Sequence, residues 1–243
     1  MSRSDRSRVN ELAARCPVVA IDGPAGSGKT TIGRLLANSV GFLCLDSGLF
    51  YRAVALAATR GGSDLHSSAD ALREARALRL EFVPDLSGRY AARVIDCETD
   101  ITDDLFSSDV EQAVSLVSRI AEVREVLLDA QREVLRGGNV VALGRDIGTV
   151  VCPEANLKIY LDATLETRVH RRWIERQGQG NQADISDVRD GIVARDRIDS
   201  ERATAPMRVA SDAVTISTDG VMPEEVVERI KGLMVERSLI SAT

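Results

Sequence analysis

The residues best equipped for chemistry are Gly23, Pro24, Ala25, Gly26, Ser27, Gly28, Lys29, Thr30 and Thr31, which together carry the spacing GxxxxGKT. They follow the apolar run Val18-Val19-Ala20-Ile21 and precede an amphipathic helical pattern through Ile32, Leu35, Leu36 and Val40. Glycines at this spacing let the backbone curl around an anion with several N–H groups pointing inward, and the following helix adds the positive end of its dipole. In such a loop the lysine reaches the β- and γ-phosphates and the hydroxyl of the next residue ligates Mg²⁺. Lys29 and Thr30 hold those two positions, so the implied ligand is a nucleoside triphosphate with its divalent cation. A glycine turn with a purely structural role is the competing reading, and the strand-loop-helix setting argues against it.

Two further constellations stand downstream. Asp46-Ser47-Gly48 precedes Tyr51 and Arg52, where a second predicted strand ends. Arg52 is suited to bidentate contact with a phosphate, whereas Asp46 or Ser47 could equally cap the next helix. Residues 195–206, RDRIDSERATAP, place Arg195, Asp199 and Arg202 at spacings of four and three, on one face of a helix. A solvated, self-paired charged face has this pattern, and so has a hinged lid that closes over phosphates and excludes water. The phosphate loop alone does not choose among kinase, GTPase and motor. No NKxD guanine motif follows it, and 243 residues are few for a large ATPase. A small-molecule kinase fits, because phosphoryl transfer demands positioned cations above all.

The elements that must position these groups follow a βαβα rhythm. After the loop helix, Gly41 is a natural C-cap, residues 42–45 read as a buried strand, and a helix through Tyr51, Val54 and Leu56 stops at Gly61-Gly62. The rhythm predicts a parallel sheet wrapped by helices. Residues 63–107 interrupt it with a short helix and a hairpin around Pro84-Asp85-Leu86-Ser87-Gly88, either a solvent-facing appendage or a substrate-side lobe. Further core strands are predicted at 140–143, 157–161 and 213–216, with helices at 110–120, 123–135, 168–176, 185–195 and 223–235. The stretch QGQGNQAD at 177–184 reads as a flexible turn.

Composition narrows the class. The net charge of −6 offers no electrostatic footprint for general nucleic-acid binding. No apolar run approaches a bilayer span, and the polar residues 1–17 lack the apolar stretch of a secretory signal. Cys16, Cys44, Cys97 and Cys152 stand far apart, without the spacing of a zinc site or a disulfide framework. Cytoplasmic localisation is expected, with no membrane partner. Only Lys29, Lys158 and Lys231 are lysines among 31 basic residues, so a lone arginine says little here and Lys29 says more.

Taken together, IDGPAGSGKTT, LDSGLFYRA, GRDIGTVV and RDxxDxxRATAP, in this order, closely resemble the bacterial cytidylate kinase family of nucleoside-monophosphate kinases. The resemblance runs from Val18 to the last helix. It implies an α/β fold: a P-loop NTPase core (residues 18–62 and 108–243) with a parallel sheet flanked by helices, a helical lid at about 175–206, and an inserted monophosphate-binding lobe at 63–107. It implies transfer of the γ-phosphate of ATP to CMP or dCMP with Mg²⁺, by a protein expected to be a monomer. Residues 23–31 then hold ATP, with Lys29, Arg145 and Arg195 as catalytic cations and Thr30 on the metal. Ser47, Tyr51, Arg52, Ser115, Arg124, Asp146, Arg195, Asp199 and Arg202 match the acceptor site. Three positions depart from the family pattern. Leu143 stands where an acidic residue usually precedes GRD, Phe106 where an arginine is common, and Ser217 where an aspartate is frequent. These departures predict a slowed or differently supported kinase. They leave open a paralogue acting on a modified pyrimidine monophosphate, or a weakly catalytic nucleotide-binding protein.

Overall fold

Val18–Asp22 (β1) is buried at every residue, as a central strand covered on both faces must be. In the computed structural model, which describes residues 16–65, 67–178, 184–202 and 204–241, β1 lies in the middle of a five-stranded sheet. Leu43–Asp46 (β2), Val140–Gly144 (β6), Leu157–Asp162 (β7) and Val214–Ser217 (β8) complete that sheet in the order β2-β6-β1-β7-β8, every neighbouring pair parallel. Most of the predicted tail (residues 1–15) and of the predicted flexible turn (residues 179–183) lie outside the described residues.

Alternation along the strands builds two apolar layers. Val19, Ile21, Val141, Leu143, Leu157, Ile159 and Leu161 face Lys29–Val40 (α1) and the closing helix Pro223–Glu236 (α8). Val18, Ala20, Val140 and Ala142 face the helices Gly48–Gly61 (α2), Ser108–Val117 (α4) and Ala121–Arg136 (α5). One close approach decides the seat of α1: a Cβ at Gly33 would lie 2.4 Å from a methyl carbon of Leu143. Only glycine lets the helix settle there on β6.

The segment after α2 forms a helix, Ser68–Ala77 (α3), and an antiparallel sheet of Leu80–Pro84 (β3), Ala92–Asp96 (β4) and Thr99–Asp100 (β5). The predicted hairpin thus gains a third strand too short to show periodicity. Phe82 packs on Phe50 of α2 at 4.5 Å between centroids, and Ala92 and Val94 join the same apolar layer. The two helices predicted around 168–176 and 185–195 run longer, as Leu165–Gly178 (α6) and Ile185–Glu201 (α7). The helical pair closes on its own small cluster of Val169, Val188 and Ile192. Among the described residues no helix is long and apolar enough to cross a membrane. Cys16, Cys44, Cys97 and Cys152 are free thiols.

Candidate active site

The loop between β1 and α1 turns through Gly26 (φ 77°) and Gly28 (φ 92°), left-handed conformations that suit glycine. Its cavity is filled by its own lysine. Lys29 Nζ donates to the carbonyls of Gly23 (2.8 Å) and Pro24 (2.7 Å) and lies 3.3 Å from Ser27 Oγ. Burial, and then the cation of Arg145, hold this ammonium well below the ordinary lysine range. Triphosphate oxygens would supply the counter-charge that the loop carbonyls only approximate. The Ala25 N–H donates to Asp196 of α7 at 3.3 Å, and the Ala25 carbonyl accepts from Arg168 of α6 at 3.1 Å. On the far side Arg171 donates to Thr218, whose hydroxyl donates to the Ser27 carbonyl at 3.2 Å. Thr30 and Thr31 are exposed at the head of α1.

Two carboxylates flank this loop. Asp22, at the end of β1, accepts from the backbone N–H groups of Ile147 (2.9 Å) and Gly148 (2.8 Å), and burial pushes it up to about 6. It thereby anchors Ile147–Val151, a turn of π-helix that periodicity does not reveal. Asp46, at the end of β2, lies 3.4 Å from the Thr30 hydroxyl and accepts the Gly48 N–H at 2.9 Å. An exposed hydroxyl beside a carboxylate is the donor chemistry that a hard divalent cation uses when phosphates and water complete its shell.

A second centre forms where β6, α5 and α7 converge. Arg124 on α5 donates to Asp146 at 2.6 Å, both nine-tenths buried, and Arg202, just past α7, stands 3.4 Å from the same carboxylate. Asp199, with 1% of its side chain exposed, accepts from Arg145 at 2.9 Å and lies 3.4 Å from Arg195. Arg195 also donates to the Ser115 hydroxyl at 2.7 Å, and the Arg124 guanidinium lies over the Tyr51 ring. Four guanidinium groups thus meet two carboxylates, a surplus of two positive charges. Among the described residues, three buried polar atoms in this centre make no hydrogen bond: Arg124 Nε, Asp199 Oδ1 and an Arg202 terminal nitrogen. Unpaired groups of this kind are costly and call for a ligand or water.

Arg52 stands apart from that network. It donates to the Leu105 carbonyl at 3.0 Å and lies 5.2 Å over the Phe106 ring, which stacks in turn on Tyr90 at 5.0 Å. Ser47 is buried between the ends of β2 and β6, its N–H bonded to the Leu143 carbonyl at 2.9 Å. The side chain of Leu143, at the departing position, is 1% exposed and packs into the layer beneath α1. Ser217 lies at the end of β8, where its hydroxyl accepts the Asp219 N–H.

The structure therefore gathers Tyr51, Ser115, Arg124, Asp146, Arg145, Arg195, Asp199 and Arg202 into one centre beside Lys29, while Ser47 lies buried at the strand ends and Arg52 turns to Leu105 and Phe106. Reading the sequence left out Asp22, Asp196, Arg168, Arg171 and Thr218, and weighed Asp46 as a member of the acceptor-side cluster or as a helix cap, without placing it beside Thr30. For Asp22 a signal existed, a carboxylate closing an apolar strand directly before the loop. The others become legible only when α6 and α7 fold back over it.

The cytidylate kinase family profile matches residues 19–236. A cytidylate kinase of Pelotomaculum thermopropionicum is 44% identical over 88% of this chain and 94% of its own length. One of Geobacillus kaustophilus is 41% identical over 90% of this chain and 96% of its own. Among solved structures, an uncharacterized protein from Eubacterium ventriosum shares the fold at a TM-score of 0.50, with 12% identity over 91% of this chain and 99% of that one.

Proposed function

This chain belongs to the cytidylate kinase family and is an ATP-dependent nucleoside-monophosphate kinase; we propose that its acceptor is CMP or dCMP and that the donor is bound with Mg²⁺. The observation that carries the acceptor assignment is the buried cluster of Arg124, Asp146, Asp199 and Arg202, whose charged groups converge within hydrogen-bond or ion-pair distance. Cytosine presents an amino donor at N4 and acceptors at N3 and O2. Asp146 suits the amino group, while Arg124 and Arg202 suit the acceptors. Asp199 Oδ1, 3.6 Å from an Arg202 nitrogen and without a hydrogen bond among the described residues, suits a sugar hydroxyl. The uracil O4, an acceptor, would face the Asp146 carboxylate, and polar readout of this kind discriminates by up to about 10⁴-fold.

In the reaction, an oxygen of the acceptor phosphate attacks the γ-phosphorus while the bond from that phosphorus to the β,γ-bridging oxygen breaks, releasing ADP. Lys29 moves from its loop carbonyls onto the donor phosphates. Arg145 and Arg195, held by Asp199, stand where charge spreads over the transferred group. Mg²⁺ bound beside Thr30 would neutralise the β- and γ-oxygens. The segment at 63–107 serves as the acceptor-side lobe, because β5 leads directly into the Leu105 and Phe106 contacts that hold Arg52. The helical pair α6–α7 serves as the lid, since it contributes Arg195, Asp199 and Asp196 to the site. The deciding experiment is ADP release with CMP, dCMP, UMP and AMP at saturating ATP and Mg²⁺. Turnover on CMP or dCMP is expected; failure on all four sinks the acceptor assignment.

A further inference from the structure

The residue expected to be acidic, Leu143, is committed to the apolar layer under α1, so the carboxylate that orders a cation beside Thr30 must come from elsewhere. Residues paired across adjacent strands point to the same face of a sheet. The row through position 143 contains Asp46 on β2, Leu143 on β6, Ile21 on β1 and Ile159 on β7. Asp46 is its one charged member, a single strand away from Leu143, and it lies against the head of α1.

Asp46 is also suitably placed by its bonds. One carboxylate oxygen accepts the Gly48 N–H, while the other faces the Thr30 hydroxyl at 3.4 Å. A hydroxyl that gives its lone pair to a cation needs an acceptor for its hydrogen, and Asp46 is that acceptor. Asp22 is not an alternative. Both of its oxygens hold the backbone of Ile147 and Gly148, on the opposite face of the sheet.

We propose that in this chain Asp46, one strand over from Leu143, is the carboxylate that orients Thr30 and the water shell of the divalent cation bound with ATP. The inference rests on the donor half of the proposed function and not on the identity of the acceptor. It assigns Asp46 the role of a positioning residue. Partners of this kind set metal affinity by about 10- to 100-fold when removed.

The test uses Mn²⁺ as a spectroscopic probe. ATP binding to the full chain is measured by calorimetry in EDTA, and Mn²⁺ binding to the protein–ATP complex by electron paramagnetic resonance, for wild type, Asp46→Asn and Asp46→Glu. Asparagine keeps an acceptor for the Gly48 N–H while removing the charge and the second oxygen that accepts from the Thr30 hydroxyl. The expected result is metal-free ATP affinity within about twofold of wild type in both variants, with Mn²⁺ affinity about 10- to 100-fold weaker in Asp46→Asn and largely retained in Asp46→Glu. Unchanged Mn²⁺ affinity in Asp46→Asn overturns the proposal. So does loss of metal-free ATP binding in both variants, because Asp46 would then be a structural cap. Failure of wild type to bind ATP at all would instead refute the donor site. Failure on CMP alone leaves this measurement intact.

Discussion

Replacing Asp146 by asparagine is the sharpest perturbation of the acceptor centre. The carboxylate accepts from Arg124 at 2.6 Å and faces Arg202 at 3.4 Å, with side-chain exposures of 9%, 8% and 11% in that order. Opposite charges at such separations attract by about 5–6 kcal/mol at an effective dielectric of ~20. Desolvation opposes that attraction. Removing one partner of a buried pair nonetheless costs about 3–5 kcal/mol, because the arginines remain buried without compensation. For a chain of this length each kcal/mol shifts Tm by about 2–4 °C, so a fall on the order of 10 °C is expected. The double variant Arg124→Met/Asp146→Leu removes both charges and should recover most of that stability. It should not recover turnover. For acceptors, an amide at 146 can donate to the uracil O4, so the ratio of kcat/KM for UMP over CMP should rise by about tenfold or more even as CMP activity falls. Denaturant titration of the two single variants and the double one, with kcat/KM on both acceptors, tests the whole chain of reasoning. Asp146→Asn with wild-type stability would refute the electrostatic argument, and an unchanged UMP to CMP ratio would refute base readout.

Lys29→Ala should lower kcat by about 10³-fold or more while circular dichroism remains that of wild type; unchanged kcat would remove the loop from the mechanism. Asp22 predicts a pH profile in which activity and stability diverge. Above about 6 it is ionised and both oxygens accept N–H groups; below that it gains a proton and loses one acceptor, so kcat should fall toward acid pH with a limb near 6. Stability runs the other way. The folded value of about 6 lies above the ordinary 3.8, so the folded state takes up its proton first as pH falls. The stabilisation, up to about 3 kcal/mol from this group, is complete below 3.8 and is lost as pH rises through 6. Urea unfolding of wild type and Asp22→Asn between pH 4 and 7 checks this, since a contribution of this sign must vanish in the variant. Phe106→Ala should raise the acceptor KM by about two- to fivefold with kcat held, the worth of one partly exposed cation–π contact; a loss in kcat alone would show that Phe106 does not act by placing Arg52.

The parallel core was legible because each of its elements has a local cause. A continuous apolar run can only be a strand covered on both faces, as β1 is, and Gly41 and Gly62 stop α1 and α2 in left-handed caps. The spacing of Arg195 and Asp199 likewise forecast a shared helical face, whereas Arg202 lies just past the end of α7. Where the reading fell short, the cause was a long-range contact. β5 exists because Ile95 and Asp96 pair with Asp100 and Thr99, the π-turn because Asp22 grips it from a strand, and the last turns of α7 because Asp199 is buried among arginines from just past β6 and from beyond the helix.

Leu143 illustrates the division most clearly. Its identity in the sequence marks an acidic group that is missing, and no spacing rule could say what takes its place. Strand register shows what lies next to it, since pairing of β2 with β6 sets Asp46 beside Leu143 on the face that α1 covers. The sequence by itself determined the phosphate loop, the order of strands and helices, and the family, because those depend on neighbours along the chain. Tertiary structure alone decided which charges meet. Lys29 rests in its own loop, Arg124 and Asp146 pair across 22 residues, and Arg145 reaches Asp199 across 54. Electrostatic interaction depends on distance and burial, and neither is written in the spacing of residues along the chain.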